Sequence, residues 1–366
     1  MLTFVLGIVE RLVADEDPAP HLANAKKILI VDPAFIGDMV WSTPAYRAVK
    51  EHAGRPEIHA MIFPPGRDVF RHNPYCDDVR IIPRKSFIGQ FMAILPLRRE
   101  KYDVIVNLFT GLRMNFYCRI IGAPLRAGYN YRHRGCFHNC RVPIATRTVR
   151  TIYRPEECLL LLEKAFGWKI LHRDMVFEVP QEACASAADL LGKLGCGPGD
   201  RLVGIHPNSN SRHEEKRWTV DNFARLADHL VRAYGVKVVL TGSGADSGYV
   251  GEILSRVRNR NMVVSTVGEL TLSELGALLQ RCSLFVSVDT GPLHISIAVK
   301  TPTFGLIGGV PLDLVIPHGN PRYRGIAAGR NSKEGLDSLR DLAVETVSDR
   351  IAGMDRELHL FAPAGR

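Results

Sequence analysis

Short apolar runs recur along this chain, and they limit the folds open to it more than any other feature. Lys27–Val31 (KILIV), Asp103–Leu108 (DVIVNL), Leu202–His206 (LVGIH), Val236–Thr241 (VKVVLT) and Leu284–Asp289 (LFVSVD) read as short strands. DVIVNL is apolar enough to be buried on both faces. Helical stretches separate the runs, among them Glu156–Phe166 and Trp218–Tyr234, where Phe223, Leu226, Ala227, Leu230 and Val231 fall on one face. Strands alternating with helices indicate α/β structure, a doubly wound parallel sheet. In such sheets ligands lie outside the carboxyl ends of the strands.

The chain's 366 residues are long for one core and suit two domains. Gly195–Asp200 (GCGPGD) is the clearest linker signal, so the boundary is expected near residues 175–200. The expected organisation is an extension over 1–26, a Rossmann-like domain over 27–180, a second over 195–335, and a closing segment over 336–366. The helix of that last segment, about Asp337–Gly353, is expected to return to the first domain. Met1–Ala14 is apolar but short and carries Glu10 and Arg11; it reads as a membrane-surface helix or as an extension packed on the body. No apolar run reaches the length of a bilayer span. Eight scattered cysteines without a signal peptide suggest reduced thiols and a cytoplasmic location, with peripheral membrane contact through Met1–Ala14 left open.

A net charge of +9 points to an anionic partner, and the absence of zinc-finger spacing or an RNA-binding aromatic signature disfavours nucleic acid. Basic residues concentrate in Arg119–Arg154, with Arg126, Arg132, Arg134, Arg141, Arg147, Arg150 and Arg154 interleaved with Tyr129, Tyr131 and Phe137. No acid stands nearby in sequence until Glu156, and arginine suits bidentate capture of phosphate or carboxylate. A solvated charged face is the plainer alternative. His133, Cys136, His138 and Cys140 are zinc-type ligands, but their spacing is tighter than ordinary zinc motifs, so no metal is assigned.

Two loops carry candidate chemistry. Asp32–Asp38 (DPAFIGD) follows the first strand, with Gly37 at its tight point. Asp38 then begins a helix over about Met39–Glu51, as an N-cap or first-turn carboxylate. Thr43-Pro44 marks a kink or a late start of that helix. The loops with Asp38, Pro65-Gly66 and Gly111–Arg113 should share one rim of the sheet. Farther on, a strand ends at Asp289, Thr290-Gly291 turns, and Pro292 opens a helix with His294 in its first turn. Such a strand–turn–helix presents backbone N–H groups to phosphate, and it is also an ordinary β–α turn.

Ile28–Arg47, the Lys216-Arg217-Trp218 step, the Gly242–Asp246 loop and Asp289–His294 (DTGPLH) occur in the order seen in the bacterial ADP-heptose:lipopolysaccharide heptosyltransferases, glycosyltransferase family 9. The chain resembles that family, and its DPAFIGD loop is closer to the second heptosyltransferase branch. The resemblance implies two Rossmann-like domains facing across a cleft (GT-B type) and inverting, metal-independent transfer of heptose from a nucleotide-heptose donor, ADP-heptose, to an anionic glycan or glycolipid such as the lipopolysaccharide inner core. No cofactor is implied. It makes Asp38 the catalytic base and places Lys216, Asp246, Asp289, Thr290, Gly291 and His294 around the donor. Lys216, the Thr290–Gly291 N–H groups and the following helix would face the diphosphate, and Asp246 the ribose. Arg113, Arg132 and Arg134 would hold the acceptor. An epimerase or hydrolase of the same fold, and a non-catalytic nucleotide-sugar-binding protein, are the rival readings.

Overall fold

In the computed structural model, all five apolar runs become internal strands of all-parallel sheets, which is why they carry so few polar residues. The structure describes residues 2–144, 152–208, 217–329 and 335–362, and the chain divides into two units at Glu178/Val179.

The first sheet contains β1 (Lys27–Val31), β2 (Glu57–Ile62), β3 (Asp78–Ile81), β4 (Val104–Asn107), β5 (Leu125–Asn130) and β6 (Cys140–Pro143), in the order β3-β2-β1-β4-β5-β6. The second contains β7 (Leu202–His206), β8 (Lys237–Leu240), β9 (Val263–Ser265), β10 (Cys282–Val288), β11 (Thr303–Gly308) and β12 (Tyr323–Ala328), in the order β12-β11-β10-β7-β8-β9. Counted from its own first strand, each sheet runs 3-2-1-4-5-6, the Rossmann order. The sequence halves show no internal repeat, so the repetition is one of topology alone. Because the order reverses between β1 and β4, and again between β7 and β10, each unit opens a crevice at the carboxyl ends of those pairs.

The helix after β1 spans Ile36–His52 and continues through Pro44 without a break. It begins earlier than the proline suggests, and Asp38 lies in its first turn. Thr43 is bonded on both sides: its hydroxyl donates to the Val40 carbonyl at 2.7 Å and accepts from the Val176 N–H at 2.8 Å. The Leu2–Arg11 helix packs on the first unit. Leu6 is buried, and the Glu10 carboxylate accepts from Asn130 Nδ2 at 2.6 Å and His133 Nδ1 at 2.5 Å. Arg141 adds bonds to the Glu10 and Val13 carbonyls.

The Gln181–Lys193 helix packs against Leu272–Arg281 within the second unit. The closing helix is Val344–Leu358. Val344, Val347, Ile351 and Met354 are buried in the second unit's core with Trp218, Phe223 and Leu226. Trp218 Nε1 donates to the Leu342 carbonyl at 2.7 Å, fixing the approach to that helix. Among the described residues no helix is long and apolar enough to cross a membrane.

Candidate active site

At the carboxyl end of β1, Asp32 keeps its N–H on the Met61 carbonyl at 3.0 Å and turns a buried carboxyl toward Ser42. The Ser42 hydroxyl donates to it at 2.5 Å. Burial pushes the Asp32 carboxyl up to about 7; the Ser42 bond opposes that shift and the charge of Asp38 adds to it. Asp38 itself is half-buried, and its carboxylate accepts from the Phe35 N–H at 3.3 Å. Phe35 is the helix N-cap but has no side-chain acceptor, so only half of a capping box forms. The Arg154–Phe166 helix packs on Ile36–His52 and brings a third acid within electrostatic reach. That acid is Glu157, raised mainly by burial and further by Asp38, while Arg154 opposes from 3.0 Å.

Burial thus raises two carboxyls, Asp32 and Glu157, within electrostatic reach of Asp38. Asp32 and Glu157 escaped sequence reasoning. Asp32 had one available signal, a second acid in the same loop as Asp38; Glu157 had none, because helix packing creates its position.

Arg113, Arg132 and Arg134 are all exposed beyond the carboxyl ends of β4 and β5, Arg113 in the first turn of the Leu112–Ile121 helix and the other two on the loop after β5. Arg113 lies over the Phe87 ring, 5.5 Å from its centroid, and donates to Gln90 Oε1 at 3.3 Å. Arg132 and Arg134 flank the Tyr131 ring at 5.1 and 5.8 Å. Other arginines of the basic stretch are structural. Arg126 donates to the Ala123 and Phe137 carbonyls, and Arg141 pairs with Asp15 at 2.7 Å. Arg147 and Arg150 lie outside the described residues.

The four zinc-type ligands diverge. His138 is buried, with Nε2 2.9 Å from Asn115 Oδ1, and burial lowers its pKa to about 3. Its ring fills the space above Gly128, where a Cβ would come within 2.4 Å of Nε2. His133 turns to Glu10, and the Cys140 thiol faces the Ala165 carbonyl. Among the described residues no group of three or more His, Cys, Asp or Glu side chains is arranged to hold a metal ion.

In the second unit, four of the expected donor residues, Asp289, Thr290, Gly291 and His294, follow the carboxyl end of β10. Thr290 is the N-cap of the Gly291–Ala298 helix, so the helix begins one residue before Pro292. The Thr290 hydroxyl donates to the Val288 carbonyl at 3.2 Å and does not cap the helix. A first turn without a side-chain cap suits an anion. His294 is buried in this helix, with Nε2 3.8 Å from Asp289 Oδ1.

Asp246, expected to face the ribose, already has partners within the chain. It is buried, with Oδ1 accepting from Asn208 Nδ2 at 2.7 Å and Oδ2 from Ser243 N and Oγ at 2.7 Å each. Those bonds build the Gly242–Asp246 loop, so the carboxylate is already engaged. The loop also needs close backbone approach: Gly268, at φ +79°, would place a Cβ 3.2 Å from Gly244 Cα. Asn208 Oδ1 is buried and has no partner among the described residues. His206 ends β7 with Nδ1 3.0 Å from Thr241 Oγ1, and burial lowers its pKa to about 4 against the opposing charge of Asp246. Lys216 lies outside the described residues.

One crevice thus offers a carboxylate able to take a proton, and the other an uncapped helix N-terminus suited to a diphosphate. Residues 94–328 match the model of glycosyltransferase family 9 (heptosyltransferase). The chain is 28% identical over 343 residues to lipopolysaccharide heptosyltransferase 3 of Escherichia coli, covering 88% of this chain and 97% of that one. Against lipopolysaccharide heptosyltransferase 2 of Salmonella typhimurium it is 24% identical over 303 residues, with coverage of 80% and 85%. The structure of Escherichia coli ADP-heptose lipopolysaccharide heptosyltransferase II superposes with a TM-score of 0.74 at 21% identity, covering 91% of this chain and 99% of that one.

Proposed function

The chain belongs to glycosyltransferase family 9, the heptosyltransferases, and from that premise we propose an inverting, metal-independent enzyme that moves heptose from ADP-heptose to an anionic inner-core glycolipid. The observation that carries this reading is the position of Asp38, on the first turn of the helix that follows β1 at the reversal point of the first sheet. The relatives' lipopolysaccharide substrates and the ADP-heptose of heptosyltransferase II support the donor and acceptor classes.

The acceptor hydroxyl attacks the anomeric carbon, ADP departs from the opposite face with the bonding pair, and Asp38 takes the hydroxyl proton. A single displacement of this kind inverts the anomeric configuration. Charge growing on the departing diphosphate meets the Thr290–Gly291 N–H groups, the dipole of the Gly291–Ala298 helix and Lys216. Asp289 and His294 shape the donor pocket, while Asp246 holds its loop in place. Arg113, Arg132 and Arg134 bind the acceptor's anionic groups. Transfer takes place at the cytoplasmic face of the membrane that carries the acceptor.

The test is transfer from ADP-heptose to a phosphorylated core acceptor in excess chelator, with the product's anomeric configuration read by NMR. Inversion and full activity in chelator are expected. Asp38→Asn should lower turnover by about 10³-fold while ADP affinity stays within about twofold. A retained configuration, activity lost to the chelator, or turnover preserved in Asp38→Asn would each remove the corresponding part of the reading.

A further inference from the structure

Among the described residues, every large apolar side chain that is exposed belongs to the first unit. Phe35, Phe87, Ile88, Met92, Phe109 and Phe116 lie on the loops and helices that follow β1, β3 and β4. Phe35 is 64% exposed, Phe87 55%, Ile88 75% and Met92 61%, far from the partial burial usual for such residues.

A chain of side-chain contacts joins the patch to the helix of the proposed base. The Arg84 guanidinium lies 4.2 Å from the Phe35 ring centroid, and the Arg84 carbonyl accepts from Gln90 Nε2 at 3.2 Å. Gln90 Oε1 accepts from Arg113, which stands over Phe87. Phe35, at the near end, is the N-cap of the helix that carries Asp38.

The Phe87–Ile94 helix is the centre of this surface. Gln90 and Ile94 are buried on its inner side, as a core-facing stripe should be. Ile88 and Met92, with Leu95 just beyond the helix end, recur at i, i+4 and i+7 on the outer side, where a water-facing helix normally carries polar residues. Ser86–Leu97 contains no charged residue. Arg84-Lys85 precede it and Arg98-Arg99 follow it, all four exposed. An apolar helix face bounded at both ends by cations complements acidic headgroups over an acyl boundary. A two-fold contact with a second copy would instead bring the same basic pairs together.

We propose that the outer face of Phe87–Ile94, with Phe35 and its flanking basic residues, docks the protein on an anionic lipid bilayer beside the Asp38 crevice. The Leu2–Arg11 helix is the lesser candidate, since its Glu10 is held by Asn130 and His133. The proposal deepens the functional reading and rests on it for the membrane-borne acceptor; vesicle binding is nevertheless read without turnover, so either can fail alone.

The experiment is flotation of the full chain with phosphatidylcholine vesicles, pure or containing about a third phosphatidylglycerol. The protein should float with the anionic vesicles only, and added salt should weaken binding. Ile88→Asp/Met92→Asp should cut the bound fraction by about tenfold, with ADP affinity and thermal midpoint unchanged. Leu12→Asp, on the exposed face near the N-terminus, should bind as the parent does. If the double variant loses its thermal transition, Lys85→Glu/Arg99→Glu replaces it, with the same tenfold loss expected. The proposal is overturned if the parent does not float, if the folded variant floats as the parent does, or if Leu12→Asp alone abolishes binding. A parent dimer that Ile88→Asp/Met92→Asp dissociates would make a second copy the occupant and overturn it equally.

Discussion

The Ser42 hydroxyl donates to the Asp32 carboxyl across 2.5 Å, joining the end of β1 to the helix that carries Asp38. Burial raises Asp32 to about 7 in the folded chain, against 3.8 for an ordinary aspartate. Between those values the folded protein holds a proton that the unfolded chain has released. Stability therefore falls as pH rises through that window, by at most about 1.4 kcal/mol per pH unit, and the loss is complete above about pH 7. Asp32→Asn keeps an acceptor for Ser42 and removes the titration. The variant should melt above the parent at about pH 8 and close to it at about pH 4. Parallel melting profiles across that range would show that Asp32 does not titrate in this way.

His206 acts with the opposite sign. Burial lowers it to about 4 in the fold, whereas the unfolded imidazole titrates near 6.5. The unfolded chain binds the extra proton between those values, so this contribution to stability is lost as pH falls through them. Buried His138, lowered to about 3, adds to the same acid limb. His206→Asn, which can still bond Thr241, should make the limb shallower by about one proton, or roughly 1.4 kcal/mol per pH unit. Chemical denaturation at several pH values measures the slope, and an unchanged slope would place the acid sensitivity elsewhere.

Legibility in the sequence followed the range of the interactions. The apolar runs could be read because an internal parallel strand must be apolar on both faces. β5 and β6 instead lie within the basic stretch, where charge hides the strand pattern. Arg126 places a charge in a buried strand, made tolerable by carbonyls of Ala123 and Phe137 that no local pattern reveals. The missing acids of that stretch are likewise remote, with Asp15 reaching Arg141 across 126 positions. Asp38 and the Asp289–His294 turn were visible because strand, loop and helix start are contiguous. The shifts of Asp32 and Glu157 were not, since burial produces them.

Asp246 provides the sharpest test of the donor side, because its two roles predict different ligand behaviour. A carboxylate that contacts the ribose would distinguish ADP from its deoxy analogues directly, and the preference would vanish with Asp246→Ala. In the structure, however, Asp246 joins Asn208, 38 positions away, to Ser243. Losing those bonds should release the Gly242–Asp246 loop, lowering stability by roughly 3 kcal/mol and ADP affinity by about tenfold. Whatever group reads the ribose would still do so, less tightly held. Calorimetric titration of parent and variant with ADP, 2′-deoxy-ADP and 3′-deoxy-ADP separates the cases. A weaker variant with the parent's ratio among the three ligands is the expected result. A ratio collapsing to unity with unchanged stability would return Asp246 to the ribose.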